Sequence, residues 1–236
     1  MSIDLTTVYY DGEMSGLHCL FDYRNGKPGT AELIEFAAIA VNSQGKEIDS
    51  IEIKLDFNWD KNNPEMIEAL KMNCFKAFMV ENDYNTLSIN LWRKHCLSRR
   101  EAYYQIDKFL KKHATIQWNW PSGDRAPNKT LGAGQNIESF DRKFIQALYE
   151  EFAPDNGKKV YLPLDFYQID TYEQAKAWYW KSKQIGQKTP KNLQLATLAE
   201  FFGFSTEGAH GALADVRMNI LTHKAVEQSM GRLVMG

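Results

Sequence analysis

The sequence predicts an α/β domain in which a mixed central sheet, antiparallel in its first strands, is flanked by helices. Two observations carry this prediction. Apolar segments with the period of β-strands cluster near the start of the chain, and segments with helical periodicity dominate the rest. A length of 236 residues fits one sizeable domain. We therefore expect residues 1–236 to form a single domain.

Three apolar segments early in the chain predict the antiparallel strands. They cover residues 6–10, 32–41 and 48–57. The first stops at the turn signal Asp11-Gly12, and the third alternates isoleucine with charged residues, as a strand with one wet face does. Segment 24–30 (RNGKPGT) is predicted to be a polar loop between the first two strands.

A helical insertion is predicted next, from about residue 60 to residue 129. Asn63 and Pro64 form a plausible helix start, and Ser98 with Glu101 forms a capping box. The predicted helices of this insertion cover 64–78, 87–96 and 98–113. Segment 118–129 contains two prolines and a glycine and is predicted to be an irregular surface loop.

The remainder of the chain returns to the sheet and then becomes helical. We predict strands at 130–134 and 160–169, and helices at 140–152, 171–182, 193–202 and 212–228. Thr171 is the predicted cap of the helix that follows it. The strand at 130–134 is expected to join the opening sheet.

Charge and composition exclude several classes of protein. The formal net charge is −2, which argues against a protein that coats duplex DNA through a large positive excess. The cysteines Cys19, Cys74 and Cys96 are odd in number and lack metal-site spacing, so reduced thiols are expected. No signal peptide and no apolar run of about 18 residues is present. A cytoplasmic location is therefore expected, in the host cytoplasm if a phage encodes the chain.

Asp11 and Glu13 lie two residues apart where the first strand is expected to end. In an extended chain both side chains point to the same face of the sheet. Two carboxylates on one face repel each other, and a divalent cation is the ordinary compensation. Asp-Gly is also a frequent hairpin signal, so a solvated turn is the alternative for this pair taken by itself.

Asp141 and Asp215 are the other candidate acids. Each is expected in an early turn of a helix whose apolar residues face the sheet. The helix dipole stabilises an acid at the position of Asp141, for which a capping role alone is the alternative. His210 precedes the second of these helices on a turn flanked by Gly208 and Gly211, which gives its ring freedom to move.

Three segments in order resemble the motifs of a known family. DGEMSGL, GQNIESFD and HGALAD are similar to the three exonuclease motifs of the DEDDh superfamily of 3′→5′ exonucleases, which includes proofreading subunits, oligoribonuclease and ribonuclease T. NLQLATLAEFFGF resembles the helix that precedes the third motif, and TLSINLWRKH resembles exonuclease A of T-even phages. Gly211 leaves no tyrosine at the position that marks the sister DEDDy branch. The resemblance implies a ribonuclease H-like fold.

The resemblance also implies an active site. Asp11, Glu13, Asp141 and Asp215 would hold two divalent metal ions, and His210 would accept the proton of the attacking water. Oxygen ligands favour Mg²⁺ or Mn²⁺ over zinc. The residues implied to contact the terminal nucleotide are Met14, Ser15, Gly16, Leu17 and Asn136; for Met14 and Leu17 a role in the core is an equal alternative.

The expected substrate is the 3′ end of single-stranded nucleic acid. DNA is favoured, RNA is possible, and a binding module without catalysis or a hydrolase of another phosphodiester are further alternatives. Two surface groups could contact the strand: Trp118, Trp120 and Arg125 in the predicted loop, and Lys183, Lys188 and Lys191 near Pro190. Packing and solvation are the ordinary roles of such residues.

Overall fold

The computed structural model describes residues 5–18, 23–24, 27–78, 86–117, 127–152 and 161–235. Its strands are β1 (Thr7–Met14), β2 (Tyr23–Arg24), β3 (Lys27–Pro28), β4 (Leu33–Val41), β5 (Glu47–Lys54), β6 (Leu131–Gly134) and β7 (Ile169–Asp170). Its helices are α1 (Pro64–Met72), α2 (Thr86–Arg93), α3 (Arg99–Lys112), α4 (Asp141–Phe152), α5 (Thr171–Gln184), α6 (Leu195–Phe202) and α7 (Ala212–Met235), with a 3₁₀ turn at Cys74–Phe78.

The main sheet has the strand order β5-β4-β1-β6-β7. β4 pairs antiparallel with both β1 and β5, whereas β6 runs parallel to β1 and to β7. The predicted mixed sheet with antiparallel first strands is therefore confirmed. Every residue of β4 is buried, because this strand has neighbours on both edges and covered faces on both sides.

The two faces of the sheet carry different helices. Val8, Tyr10 and Phe36 belong to the core that α3 and α4 cover, whereas Tyr9 and Ile39 belong to the core that α7 covers. Successive residues of a strand point to opposite faces. Residues of β1 with odd numbers therefore face α7, and those with even numbers face α4.

The predicted helical insertion between β5 and β6 is confirmed. α1, the 3₁₀ turn and α2 enclose their own apolar cluster around Trp92, which is fully buried. The indole N–H of Trp92 donates to the carbonyl of Leu55 at 3.1 Å, so this cluster is tied to the chain that follows β5. Ile34 of β4 also belongs to the cluster. That residues 1–236 form a single domain stays a prediction.

Strand β1 is longer than predicted. Asp11-Gly12 does not stop it, because the backbone remains paired with β4 as far as Met14. A backbone ladder with a long partner strand overrides a local turn signal. Segment 24–30 was expected to be a loop, but the described part of it contains β2 paired with β3 as a small hairpin.

Several other boundaries differ from the predictions, among them the end of α7, which continues past residue 228 to Met235. β5 ends at Lys54, and α1 ends before Asn73, whose side chain accepts the N–H of Phe75 and starts the 3₁₀ turn. The predicted strand at 160–169 is mostly irregular between residues 161 and 168, where Asp165 accepts the N–H of Tyr167 in a tight turn. The cap of α5 is Asp170 rather than Thr171. The capping box of Ser98 and Glu101 is present as predicted.

Some predictions concern residues that lie outside the part of the chain that the structure describes. Trp118, Trp120 and Arg125 lie outside the described residues, as do Cys19 and the side chain of Cys74. Cys96 is a free, half-buried thiol. Among the described helices, none combines the length and the apolar character that crossing a membrane requires.

Candidate active site

Three acids from distant parts of the chain meet at the end of β1. Asp11 and Glu13 project from the odd-numbered face of the strand, and Asp215 projects from α7, which covers that face. One carboxylate oxygen from each lies within 4.8 Å of the others, and all three side chains are partly buried. This geometry is suited to a divalent cation, which takes several carboxylate oxygens at short range.

Helix α7 holds Asp215 in place through its apolar side. Ala212 and Val216 are buried against Tyr9 and Ala37 of the sheet, so the first turn of the helix has a fixed position over β1. Asp215 lies between these two contacts and faces the strand end. Its carboxylate accepts the backbone N–H of His210 at 3.3 Å, which ties the preceding turn to the acid.

Asp141 reaches the same place from the other face of β1. It opens α4, is 4% exposed, and accepts the backbone N–H of Gly12 at 3.0 Å. A side chain at position 12 would crowd this contact, since a Cβ there would lie 2.7 Å from Leu33 Cδ1 and 2.9 Å from Met14 Cε. Asp141 therefore lies beside the group of three rather than within it, with Gly12 between.

Burial and the charges of neighbouring acids raise the pKa of Asp11, Glu13, Asp141 and Asp215. For Glu13 the pKa rises to about 9, first through burial and then through the charge of Asp215. Asp11 is raised well above its usual pKa by burial and by Asp141, and Asp215 is raised mainly by burial. For Asp141, burial raises the pKa to about 7, although the Gly12 N–H opposes the rise.

The described part of the chain gives Asp11, Glu13 and Asp215 no lysine or arginine as an ion-pair partner. Buried carboxylates without a partner either bind protons or require an added cation. All of the donors are hard oxygen atoms, so the residues fit Mg²⁺ or Mn²⁺. The acids are thus arranged for a ligand at a cost to the stability of the metal-free chain.

Glu13→Gln is therefore expected to stabilise the metal-free protein at pH 7.5. The pKa of Glu13 in the folded protein, about 9, exceeds the ordinary value of 4.5. Ionisation of Glu13 therefore lowers the free energy of unfolding, and this loss is absent below about pH 4.5 and grows as the pH rises toward 9. Because the Glu13 side chain is partly exposed, we expect the substitution to raise the free energy of unfolding by only about 1–2 kcal/mol at pH 7.5. Urea unfolding in EDTA at pH 5 and pH 7.5 measures it, with exposed Glu47→Gln as the control. An equal gain at both pH values would contradict this cause.

His210 is exposed and precedes α7 in a left-handed backbone conformation, with φ of 71°. This conformation is uncommon for residues other than glycine and costs about 1–3 kcal/mol. The neighbouring Gly208 has φ of 80°, so the turn is sharply folded. The turn places the His210 backbone against Asp215 while the ring remains at the surface, next to the acids.

The residues expected to contact the substrate occupy different environments. Leu17 is 54% exposed directly after the acidic pair, whereas the Met14 side chain is 5% exposed and belongs to the core. Buried Ser15 accepts the N–H of Glu32, and buried Gly16 lies against Ala31. Among residues 14–17, only Leu17 presents a side chain to solvent.

Asn136 lies on the side of the site that carries Asp141. Its φ is 61°, and its backbone N–H donates to Asp170 at 3.0 Å. Asp170 is close enough to Asp141 for its charge to raise the pKa of that acid. Asn136 is therefore an exposed residue in a constrained turn beside the acids, as expected of a residue that contacts substrate.

Sequence reasoning did not identify Glu35, a fifth acid at this site. Glu35 is 1% exposed, lies opposite Glu13 in the β1–β4 ladder and raises the pKa of Asp11, Glu13 and Asp215. A signal was available, because Glu35 interrupts the apolar segment LIEFAAIAV. A charged residue in a fully buried strand is rare unless it has a partner.

Solved structures of Escherichia coli exonuclease I share this architecture. A zinc-bound complex with single-stranded DNA matches 98% of this chain with a TM-score of 0.67 at 16% sequence identity. A complex with a dT13 oligonucleotide matches 98% with a TM-score of 0.66 at 18% identity. The chain has the fold of exonuclease I. The ribonuclease H-like arrangement that the motifs implied is therefore confirmed.

The likeness to exonuclease I concerns part of that protein. This chain spans 42% of the exonuclease I chain in both complexes. A product-bound exonuclease I structure matches 97% of this chain and 45% of its own, with a TM-score of 0.65 at 17% identity. No family model and no curated protein matches the sequence.

The basic residues suggested for contact with phosphates lie at the surface. Lys183 is placed over the rings of Tyr179 and Trp180, at 4.7 and 5.8 Å from their centres. Lys188 and Lys191 are exposed in the segment that leads to α6. These positions are compatible with either solvation or contact with a strand.

Proposed function

We propose that this chain is a metal-dependent exonuclease that removes nucleoside 5′-monophosphates from the 3′ end of single-stranded DNA. The observation that carries the proposal is the meeting of Asp11, Glu13 and Asp215, with Asp141 beside them, on the fold of exonuclease I. Structures of that enzyme with single-stranded oligonucleotides support the choice of substrate. The order of the three sequence motifs supports the direction of attack.

The acids would hold the metal ions from both faces of β1. Asp11, Glu13 and Asp215 supply ligands from the α7 face, and Asp141 supplies one from the α4 face. Two Mg²⁺ or Mn²⁺ ions, when bound, stabilise the charge on the attacking and leaving oxygens of the phosphodiester. The raised pKa values of the acids are consistent with this role, because a cation there relieves their repulsion.

His210 would act as the general base. Its exposed ring, beside Asp215 and outside the helix, has the freedom to approach a water molecule at the acids. An imidazole is the side chain best suited to accept a proton near neutral pH. Asp215 would have two roles, since it faces the other acids and also fixes the His210 backbone.

The strand end would be held beside the acids. Leu17 is the exposed apolar side chain there and would pack against the last base, while the backbone from Met14 to Leu17 would contact the 3′-hydroxyl. Asn136 would contact the strand from the side of Asp141. None of these described residues is assigned a contact with a 2′-hydroxyl, so an exoribonuclease that trims short RNA is the alternative within the same chemistry.

A time course on labelled strands tests the proposal. Single-stranded DNA and matched RNA, each labelled at the 5′ or the 3′ end, are incubated with Mg²⁺, Mn²⁺ or EDTA. We expect the 3′ label to be released first as a mononucleotide, the 5′-labelled DNA to shorten progressively, and EDTA to stop both. Release of the 5′ label first, or activity in EDTA, would contradict the proposal. Faster loss of RNA would favour the exoribonuclease, and binding without degradation would favour a binding module.

A further inference from the structure

Glu35 lies at the junction of three elements that build the site. Glu13, Glu35 and Lys54 are direct cross-strand partners on β1, β4 and β5, so their side chains form a row on the face that α7 covers. Glu35 is almost fully buried, and its Oε1 accepts from Lys54 Nζ at 2.6 Å. Its other oxygen, Oε2, accepts the backbone N–H of Ala212 at 3.1 Å.

Ala212 is the first residue of α7, the helix that carries Asp215. The N–H groups in the first turn of a helix have no partner within the helix, and an acceptor that binds one of them fixes where the helix begins. Glu35 is such an acceptor, and it comes from the sheet rather than from the residue before the helix. The contact therefore fixes α7 to β4 at the end nearest the acids.

Lys54 balances the charge of Glu35. A buried carboxylate that already accepts a backbone N–H would still repel the other acids if it had no cation. Lys54 provides this cation, and it also lies 3.6 Å from Glu52, which is exposed. Glu35 thus has an ion-pair partner within the protein, which the described residues do not provide for Asp11, Glu13 and Asp215.

We propose that Glu35 is a positioning residue that fixes the start of α7 to the sheet, so that Asp215 faces Asp11 and Glu13 at the spacing that metal binding requires. The proposal rests on the proposed function, because it assigns Glu35 a role toward the same metal site. Glu35 does not itself contact the metal. Its effect passes through the Ala212 N–H and the first turn of α7.

Two isosteric double variants separate the hydrogen bond from the charge. E35Q/K54M removes both charges but keeps a carbonyl oxygen that accepts the Ala212 N–H. E35M/K54M removes the same charges and also the acceptor. We expect E35Q/K54M to bind Mn²⁺ within about threefold of the wild-type affinity and E35M/K54M to bind at least about tenfold more weakly, as the loss of a buried hydrogen bond implies.

Mn²⁺ binding is measured by electron paramagnetic resonance of the free ion, and amide hydrogen exchange of residues 211–216 reports the start of α7. E35M/K54M should also lose protection at Ala212, whereas a purely structural role would lower the melting temperature without changing Mn²⁺ affinity. Glu52→Gln is the control, since it removes an exposed charge beside the same lysine. If E35M/K54M does not fold, E35A/K54M replaces it, with the same expected tenfold loss.

The outcomes separate this role from the proposed function. If E35M/K54M or E35A/K54M binds Mn²⁺ as tightly as E35Q/K54M, the positioning role is wrong and the exonuclease proposal is unaffected. If the wild-type protein binds no Mn²⁺, both proposals are wrong. Weak binding by both double variants would show that the charges of Glu35 and Lys54 matter and not the hydrogen bond to Ala212, which also overturns the positioning role.

Discussion

Asp215→Asn is expected to give a folded protein whose kcat on single-stranded DNA is at least about a thousandfold below that of the wild type. The side chain is part of the group whose oxygens lie within 4.8 Å of one another, so the amide removes a ligand charge from the point where the acids meet. Metal ions in such sites supply several kcal/mol of transition-state stabilisation, and about 4 kcal/mol corresponds to a thousandfold. Single-turnover digestion of a 5′-labelled strand with saturating Mg²⁺ measures the loss.

The fold of this variant should be retained. Asparagine keeps an oxygen that accepts the His210 N–H, and the apolar contacts of Ala212 and Val216 with the sheet are unchanged. Asp56→Asn is a matched control, because Asp56 is a half-exposed acid paired with Arg93 away from the site. Activity of Asp215→Asn within tenfold of the Asp56→Asn value would show that Asp215 does not hold a catalytic metal.

His210→Asn is expected to lower kcat by about a hundredfold to ten-thousandfold, the range for loss of a general base. Asparagine accepts the left-handed backbone more readily than most residues, so the turn with φ of 71° should persist. Mn²⁺ affinity and melting temperature should therefore stay close to the wild-type values. Comparison of His210→Asn with the wild type therefore tests the imidazole ring alone, because the backbone contact with Asp215 is kept.

Chemical rescue provides the decisive control for His210. In His210→Gly the ring is replaced by space, and glycine adopts the required backbone without strain. Added imidazole should restore part of the lost activity in this variant and none in Asp215→Asn. Full activity of His210→Asn without any additive would exclude a proton-transfer role for the ring.

The parts of the site that the sequence predicts are those set by local periodicity. Asp11 and Glu13 share a face because strand side chains alternate, and this holds even though the predicted strand end was wrong. Asp215 faces the sheet because the apolar positions of α7, such as Val216, fix the rotation of that helix. The capping box at Ser98 is equally local, and it is present.

The features that the sequence does not predict depend on distant partners. Whether β1 stops at Asp11 or continues to Met14 is decided by the ladder with β4. Glu35 has its role because Lys54 and Ala212 approach it from other elements. The course before β7 also depends on a distant partner, because the chain bridges to Thr130 at Leu164 and then turns at Asp165.

Successive side chains of β1 point to opposite faces of the sheet, so Asp11 and Glu13 reach the site only when β1 pairs with β4 in the native register. A shift of this strand by one residue relative to β4 would point the side chains of Asp11 and Glu13 toward the apolar core that contains Phe36. It would also move Gly12 away from Asp141. Misaligned conformers would then bury two uncompensated charges in an apolar environment and lose the metal ligands together. The same carboxylates therefore disfavour misaligned pairings during folding, and a molecule with the native alignment has both β1 ligands in place together.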